Sequence, residues 1–461
     1  MPHAARPEEA NCRRKRSSSG RFLLVAVATA AALLEWSVPA PAAEASYTLD
    51  QCYRLALDRS KTVAGQGELI QQAEERINQT RAAFFPSVSV GATAFRQETP
   101  SSALAQNIFP ADQDTVKATA TQNLFKGFRD LATLQQRKLA RRAAEFARDQ
   151  AEVQVFVDVA QAFYDVLSRQ ADLRNYGSEI AANNDRRREL LEFKRTARAR
   201  EADIATVDAA IATLEASVAN TRGLLDAARE TLSFLTGLRP DAELADGETY
   251  PSAMPALDYW LARVEYRPDV RQARSNLEAS DENIEAARAA GRPSLDLSAN
   301  YYFRRPGISE DINWDVQLSI SQPLFTGGLV QAQVREAVSQ RRGNEITLEQ
   351  ARESAQRDVR SLYRTLLANL DQVTRLDRAA ELTQRNYELL RKDNRAGLAT
   401  NLDVLQALAN VYQTRRAWDV ARLTVKNSYA RLRAISAHRN QNAPEVGGEA
   451  PGGATAPATR R

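Results

Sequence analysis

Two regions of the chain alternate between apolar and polar side chains, a pattern typical of strands with one apolar face. The clearer region has apolar residues at every second position from Leu295 to Phe303 and again from Ile312 to Ile320. A weaker version occupies Val88 to Ala94 and Val116 to Ala120. Each of the clearer runs is about 10 residues long, the length that a tilted strand needs to cross a bilayer. The alternation therefore predicts four strands arranged as two hairpins.

Long stretches of helical periodicity follow each predicted hairpin. They run with little glycine or proline from Phe128 to Arg198 and from Leu329 to Arg395, which predicts helices on the order of 100 Å long. A return helix follows each of them, with apolar residues at the alternating three- and four-residue spacing of coiled coils. In the first return helix these residues are Ile204, Val207, Ile211, Leu214, Val218, Thr221, Leu225, Ala228, Leu232 and Leu235. We therefore predict two helical hairpins, which turn near residues 197–202 and 397–401.

The chain repeats itself. The segment RAAFFPSVSV, which begins at Arg81, returns as RAAGRPSLDL from Arg288, and QNLFKG from Gln122 returns as QPLFTGG from Gln322. The second pair of segments is displaced by 200 positions, and the same displacement relates Asp203 to Asp403. A displacement held over such a distance indicates a tandem duplication.

The repeats, together with the turn-forming residues between them, predict the boundaries of the domains. We expect a signal peptide at 1–45, a first repeat at 46–236, an inter-repeat linker at 237–256, a second repeat at 257–437 and a disordered tail at 438–461. Within the repeats we expect β-hairpins at 86–122 and 293–322 and helical hairpins at 127–236 and 327–437.

The amino terminus has the features of an export signal. A basic region is followed by an apolar run from Phe22 to Leu34 and by small residues that offer cleavage at Ala42 or Ala45. No other stretch approaches the roughly 20 apolar residues of a spanning helix, so a membrane-inserted form would have to cross as strands of a closed barrel. Two hairpins in an exported chain favour membrane strands over hairpins packed on a helix. Four strands are too few to close a barrel alone, since the smallest single-chain barrels use about eight, and this predicts an oligomer.

Composition argues against an enzyme. The histidines are His3 and His438, near the two ends, and the cysteines are Cys12 and Cys52. The mature body therefore lacks a His/Cys set for metal binding or nucleophilic catalysis, and we expect no catalytic site, no metal and no cofactor. We expect Cys52 to be a buried thiol in a helix. The 62 basic and 58 acidic residues interleave without a basic patch, so nucleic-acid binding is not expected.

Four segments, in this order and spacing, resemble the TolC-type outer-membrane efflux protein family: TLDQCYRLAL, RAAFFPSVSV, QPLFTGG and NRAGLATNLDVLQA. The resemblance extends from about Tyr47 to Ala437. It implies a mainly α fold with a membrane β-barrel contribution: a trimeric duct with four transmembrane strands per chain and long antiparallel coiled-coil-like helices. It further implies a passive exit duct of a tripartite efflux pump or a type I secretion system, in the outer membrane with a long periplasmic extension. The implied assembly is a homotrimer. Its implied partners are a periplasmic adaptor (membrane fusion protein), an inner-membrane pump and outer-membrane lipid.

The resemblance also implies a pore constriction at the helix turns. Asp203 and Asp403 match aspartates of that constriction, and Gln406 stands where a second aspartate would be. A ring of carboxylates in a narrow pore favours cations. The alternative is that Asp203 and Asp403 simply cap the return helices, and both roles can hold together.

The polar links that would close such a pore must differ here from the family pattern. Asn394 stands where a tyrosine would be, and Ala399 stands where a linking arginine would be. By proximity to the turns, Arg198, Arg200 and Arg395 are the candidates to replace these links. We also expect a strand-to-helix junction in each repeat, formed by Phe125 and Gly127 in the first and by Phe325, Gly327 and Gly328 in the second.

Two other classes of protein remain open from the sequence. A periplasmic adaptor also carries a long helical hairpin, but it carries one hairpin within β-rich domains. A periplasmic coiled-coil structural protein without a pore would account for the helices and leaves the alternating hairpins unexplained.

Overall fold

The computed structural model describes residues 46–98, 101–108, 110–196, 198–251 and 254–436. The predicted signal peptide and the predicted C-terminal tail lie outside these residues. The helices are α1 (Leu49–Arg59), α2 (Lys61–Ala82), α3 (Ala103–Ile108), α4 (Arg129–Arg195), α5 (Glu201–Thr236), α6 (Leu257–Leu261), α7 (Pro268–Ala289), α8 (Leu329–Arg395) and α9 (Asn401–Ile435). The strands are β1 (Ser87–Thr93), β2 (Thr115–Lys126), β3 (Ser294–Arg304) and β4 (Trp314–Ser321).

The predicted duplication is visible in the element order. Each repeat runs through a helix, two strands, a helix of 67 residues and a return helix. At 1.5 Å per residue the 67-residue helices α4 and α8 are about 100 Å long. The mainly helical, duplicated fold with a few strands is thus confirmed.

Helix ends and strand ends differ from the predictions by a few residues. Helix α4 ends at Arg195, three residues before the predicted end at Arg198. Helix α2 begins at Lys61, after Ser60, whose hydroxyl accepts a hydrogen bond from Val63 N over 3.3 Å. Ile312 was expected in a strand but lies in the turn before β4, where its N–H donates to Ser309 O. Apolar alternation does not report these ends, because turn and cap hydrogen bonds decide them.

The four strands form one antiparallel sheet in the order β1-β2-β3-β4. Pairing of β2 with β3 joins the two repeats, and it aligns Thr119 with Asn300 and Ala120 with Ala299. Strands β1 and β4 are the edges of this sheet, so each has one side without a strand partner in the described chain.

The long helices are packed side by side in the order α5, α4, α9, α8. Helix α4 also contacts α1, α2 and α7, whereas α8 is packed chiefly against α9 and α7. The predicted apolar stripe of α5 is buried or partly buried throughout, from Ile204 to Leu235. Because helices of this length gain their stability mainly from packing, these stripes hold the hairpins together.

Two apolar clusters lie near the bases of the hairpins. One surrounds Phe163 and includes Cys52, Leu232 and Ala434, and it joins α1 to α4, α5 and α9. The other surrounds Trp260 and includes Val359 and Leu432, and it joins α6 to α8 and α9. Cys52 is a free thiol with no exposed surface, which confirms the expected buried cysteine.

Among the helices of the described residues, none is both long enough and apolar enough to span a membrane.

Candidate functional site: the hairpin tips and the strand-to-helix junctions

The two helical hairpins end side by side, and their turns form the tip of the helical region. The second turn contains Gly397 at a φ of +79°, a conformation that glycine adopts without the penalty that a side chain brings. Thr400 then caps α9, and its hydroxyl accepts a hydrogen bond from Asp403 N over 3.2 Å.

Asp203 and Asp403, the predicted constriction residues, both cap the return helices. A carboxylate oxygen of Asp403 accepts from Thr400 N over 2.8 Å, and one of Asp203 accepts from Arg200 N over 3.0 Å. The hydrogen bond from the Thr400 hydroxyl holds the pKa of Asp403 below its ordinary value, so this carboxylate keeps its charge in mildly acidic solution. The Asp403 side chain is exposed to solvent, and both carboxylates remain placed at the tip.

Arg186 of α4 connects the two hairpins, although sequence reasoning missed it. Its Nε donates to Asn401 Oδ1 over 2.9 Å, and its Nη2 donates to Asn394 Oδ1 over 2.6 Å. Its side chain is 2 % exposed, and its Nη1 pairs with Glu189 Oε2 at 2.9 Å. A buried guanidinium with acceptors on three sides is a strong, geometrically demanding link. We call Arg186, Glu189, Asn394, Arg395 and Asn401 the tip cluster.

Glu189 is the anion of the tip cluster. Its Oε1 accepts from Arg395 Nε over 2.7 Å, and Arg391 lies 3.8 Å from its other oxygen. Burial acts to raise the pKa of Glu189, but the hydrogen bonds from Arg395 and Arg186 outweigh it and hold the pKa below the ordinary value. The glutamate therefore stays ionised and links both hairpins through arginines.

The predicted gating residues divide into two groups. Asn394 and Arg395 belong to the tip cluster, and Asn394 also donates to Ala399 O over 2.8 Å. Arg198 donates to the backbone oxygen of Arg395 over 2.9 Å and so also bridges the hairpins. Arg200 pairs with Asp203 of its own helix at 3.4 Å. Gln406 is exposed on α9 and donates to Asn410 over 3.2 Å within that helix.

Farther from the tip, the seam between α4 and α9 carries buried polar pairs. Arg416 of α9 pairs with Glu179 of α4 at 2.5 Å, and Asn175 donates to Asp419 Oδ2 over 2.7 Å. Glu179 is 4 % exposed, and burial raises its pKa against the opposing hydrogen bond from Arg416. The guanidinium of Arg416 also stacks over the ring of Tyr176 at 4.4 Å.

The strand-to-helix junction of the first repeat is tightly packed. Gly127 has a φ of +61°, and a Cβ at this position would lie 2.6 Å from Arg292 Cβ. The next residue, Phe128, has a φ of +68°, and its ring packs edge-on against Phe125 at 5.0 Å.

The junction of the second repeat has the same backbone and fewer contacts. Gly327 and Gly328 have φ values of +61° and +84°, and a Cβ at either position would meet no atom within 4 Å. Phe325 is 90 % exposed, so the two predicted phenylalanines lie in different surroundings.

The sheet has one polar and one apolar face. On the polar face a row of hydrogen bonds crosses three strands: Thr119 donates to Asn300 and Asn300 donates to Asp315, each over 2.8 Å. The apolar face is exposed in the single chain, with exposed fractions from 57 % to 76 % for Val88, Val90, Val316, Leu318 and Ile320. An apolar strand face of this kind is expected where lipid covers a sheet.

Comparison with known proteins gives one family. The family model described as "Outer membrane efflux protein" matches residues 52–238 and 263–438, one segment in each repeat. Outer membrane protein TolC of Escherichia coli strain K12 is 24 % identical over 363 residues, which cover 75 % of this chain and 73 % of TolC. Toluene efflux pump outer membrane protein TtgC of Pseudomonas putida is 25 % identical over 378 residues, covering 78 % and 76 % of the two chains. The crystal structure of the outer membrane protein VceC from Vibrio cholerae superimposes with a TM-score of 0.71 at 19 % identity and covers 84 % of this chain and 96 % of VceC.

Proposed function

The chain belongs to the outer membrane efflux protein family, and from this premise we propose that three copies form a passive exit duct through the outer membrane. The observation that carries the proposal is the family match to both repeats, which include all four strands and both helical hairpins. In this proposal a periplasmic adaptor and an inner-membrane pump deliver the substrate. The pump supplies the energy, and the chain supplies the conduit.

The sheet supports a position in the membrane. Its apolar face is the surface for lipid, and its polar face, with the Thr119–Asn300–Asp315 row, lines the aqueous passage. Edge strands β1 and β4 each need a partner, and pairing β4 of one copy with β1 of the next would close the ring. The proposed location is therefore the outer membrane, with the helical hairpins reaching into the periplasm.

The tip is the proposed narrow end of the passage. Asp203 and Asp403 place two carboxylates per chain there, and three chains would form a ring of negative charge that favours cations. Capping and pore lining are compatible, because the cap uses the backbone N–H of Thr400 and leaves the Asp403 side chain exposed.

The tip cluster is the proposed latch that holds the narrow end shut. Arg186 lies on the first hairpin, whereas Asn394 and Asn401 lie on the second. Movement of one hairpin away from the other must break these buried hydrogen bonds, each of which contributes about 1.5–3 kcal/mol when a charged group takes part. The latch thus biases the resting duct toward its closed form.

Single-channel recording tests the proposal. The purified mature chain would be reconstituted in planar lipid bilayers, alongside Asp403→Asn and the matched surface change Asp393→Asn. We expect discrete, cation-preferring openings whose preference falls in Asp403→Asn and is kept in Asp393→Asn. Absence of any conductance from protein that remains folded would overturn the duct and favour a coiled-coil protein without a pore. Equal selectivity of all three proteins would remove the pore role of Asp403 and leave it as a helix cap.

A further inference from the structure

A pocket of about 200 Å³ lies between α4 and α9, well away from the tip cluster. Its nearest lining residue on α4, Arg169, is 17 positions from Arg186, about 26 Å along the helix. Tyr164 and Asp165 contribute to one side of the pocket, and Asn427 contributes to the other. A cavity of about 150 Å³ is large enough to hold benzene. This pocket, which we call the seam pocket, therefore has room for a small organic molecule and not for water alone.

Two buried polar atoms in the seam pocket have no partner within the described part of the chain. Tyr164 is 3 % exposed, and its hydroxyl neither donates nor accepts a hydrogen bond there. Asn427 Oδ1 is also buried without a donor, although Nδ2 of the same amide donates to Gln161 Oε1 over 2.8 Å. A buried polar group without a partner costs about 1–3 kcal/mol, so a ligand that bonds to both atoms gains affinity from them.

The tyrosine presents a proton to the seam pocket. Burial of Tyr164, together with the nearby carboxylates of Glu248 and Asp246, raises the pKa of its hydroxyl. The hydroxyl therefore stays protonated and acts as a donor, whereas the Asn427 oxygen acts only as an acceptor. A carboxamide is complementary to this pair, because it carries a carbonyl oxygen that accepts and an N–H that donates.

The rest of the lining suits an uncharged ligand with an apolar body. Asp165 and Arg169 are neighbours on α4 and pair at 3.5 Å, so their charges offset each other. Val420 and Leu423 of α9 contribute apolar surface. The Thr424 hydroxyl is already bonded, since it donates to Val420 O over 2.8 Å. A charged ligand would have to compete with the ion pair for a partner, whereas an uncharged ligand would not.

The seam pocket opens on the face of α9 that carries Gln406, one of the predicted constriction residues. Gln406, Gln413, Val420 and Asn427 follow one another at intervals of seven positions, and the first three are exposed. Residues seven apart in a coiled coil lie on the same face of a helix. In the proposed duct, the pocket is therefore on the side of α9 that lines the passage.

We propose that the seam pocket binds small uncharged molecules that combine a carboxamide with an apolar body, as they move through the duct. The carboxamide oxygen accepts from the Tyr164 hydroxyl, and its N–H donates to Asn427 Oδ1. The apolar body covers Val420 and Leu423. The site lies within a single chain, whereas its place in the passage rests on the proposed function. Binding is weak, because a conducting passage must also release what it binds.

Saturation-transfer NMR with benzamide tests the site. The full chain in detergent micelles would be titrated with benzamide, with empty micelles as the reference for partitioning into detergent. We expect saturable binding, and weaker binding of benzoate, whose carboxylate has no N–H for Asn427. Tyr164→Phe removes one hydrogen bond and should weaken the binding of benzamide about threefold to tenfold.

Tyr429→Phe is the matched control for the loss of the hydroxyl. Tyr429 packs against the apolar cluster around Trp260, outside the seam pocket, and its replacement should leave the affinity for benzamide unchanged. Equal affinities of Tyr164→Phe and Tyr429→Phe would overturn the proposed site.

Asn427→Asp tests for a change of specificity that a loss of folding cannot imitate. It keeps the size of the side chain and gives the acceptor a negative charge, and Gln161 can turn its amide to donate to the carboxylate. The preference for benzamidinium over benzamide should therefore rise about tenfold. A preference that stays the same would overturn the proposed site.

Single-channel recording of the same preparation separates the site from the duct. A protein that conducts but does not bind benzamide saturably would overturn the seam pocket as a binding site and leave the duct standing. A protein that binds benzamide with the expected specificity but carries no current would confirm the site and overturn its place in a passage.

Discussion

Arg186 and Asn401 lie on different repeats, and the guanidinium of the first donates to the side-chain oxygen of the second over 2.9 Å in a site closed to solvent. The same asparagine donates to Asp203 O over 3.1 Å. Asn401 therefore ties α4 and the start of α5 to the start of α9. The proposed latch therefore joins the two repeats through side chains of α4, α8 and α9.

Replacement of Arg186 tests this latch. We expect Arg186→Gln to raise the open probability or the resting conductance of the reconstituted channel, because it removes the charge that Asn394, Asn401 and Glu189 share. The free energy of unfolding should fall by about 1–3 kcal/mol, since buried polar partners lose their bonds. Arg188→Gln is the control, because the Arg188 side chain is 75 % exposed and pairs with nearby Asp185 on the same helix. Equal open probability and equal resting conductance in Arg186→Gln and Arg188→Gln would contradict the proposed latch.

Acidification should weaken the tip cluster through Glu189. Its folded-state pKa lies below the ordinary 4.5 because of Arg395 and Arg186, so its contribution to stability is present above pH 4.5 and is lost as the pH falls through the lower, folded-state value. Arg186, Arg391 and Arg395 stay charged throughout. Melting temperatures of the solubilised protein should therefore drop below pH 4.5 more steeply than those of Glu189→Gln. Parallel curves for the two proteins would show that Glu189 does not contribute.

The ion pair between Glu179 and Arg416 should behave as a buried pair. Glu179→Ala leaves a guanidinium without its partner, and we expect a loss of about 3–5 kcal/mol of stability. Glu179→Leu/Arg416→Leu removes both charges and should lose much less. Asp371→Ala is the control, since it breaks the exposed Arg375–Asp371 pair and should change stability by about 0–1 kcal/mol. Thermal unfolding followed by circular dichroism would rank the stabilities of the variants. A double variant that is less stable than Glu179→Ala would contradict this account.

Cys52 should be inert in the folded protein. Burial raises the pKa of its thiol to about 11, and the thiolate is the reactive form. We expect maleimide labelling of the mature chain to be negligible under native conditions and complete in denaturant, as measured by intact mass. Ser361→Cys, at an exposed position of α8, should add one fast site. Rapid native labelling of Cys52 would mean that α1 leaves its packing around Phe163.

The sequence predicts where helices and strands lie better than it predicts which of them pack or pair with one another. Heptad spacing and strand alternation are local patterns, so they located α5, α9, β3 and β4 to within a few residues. Thr400 and Asp403 also form a capping motif that can be read from adjacent positions. Pairing of β2 with β3 could not be read in this way, because the register between Thr119 and Asn300 depends on residues 181 positions apart.

The residues of the tip cluster show the same limit. Arg186 opens a run of three arginines and looks like part of a solvated helix face, yet it is buried while Arg187 and Arg188 are exposed. One signal was available, since Arg186 continues the spacing of Asn183 and Leu190, both of which are buried. Its partners at Asn394 and Asn401 are more than 200 positions away, and no local pattern connects them.

The open edges of the four-stranded sheet have a consequence for biogenesis. In a single chain, the described residues include two rows of backbone groups without a strand partner, on β1 and β4, beside an uncovered apolar face. Such edges pair readily with any available strand, so correct assembly competes with aggregation. In the proposed trimer, completion of the sheet should follow higher-order kinetics in chain concentration, and the folding yield should depend on how quickly the copies meet.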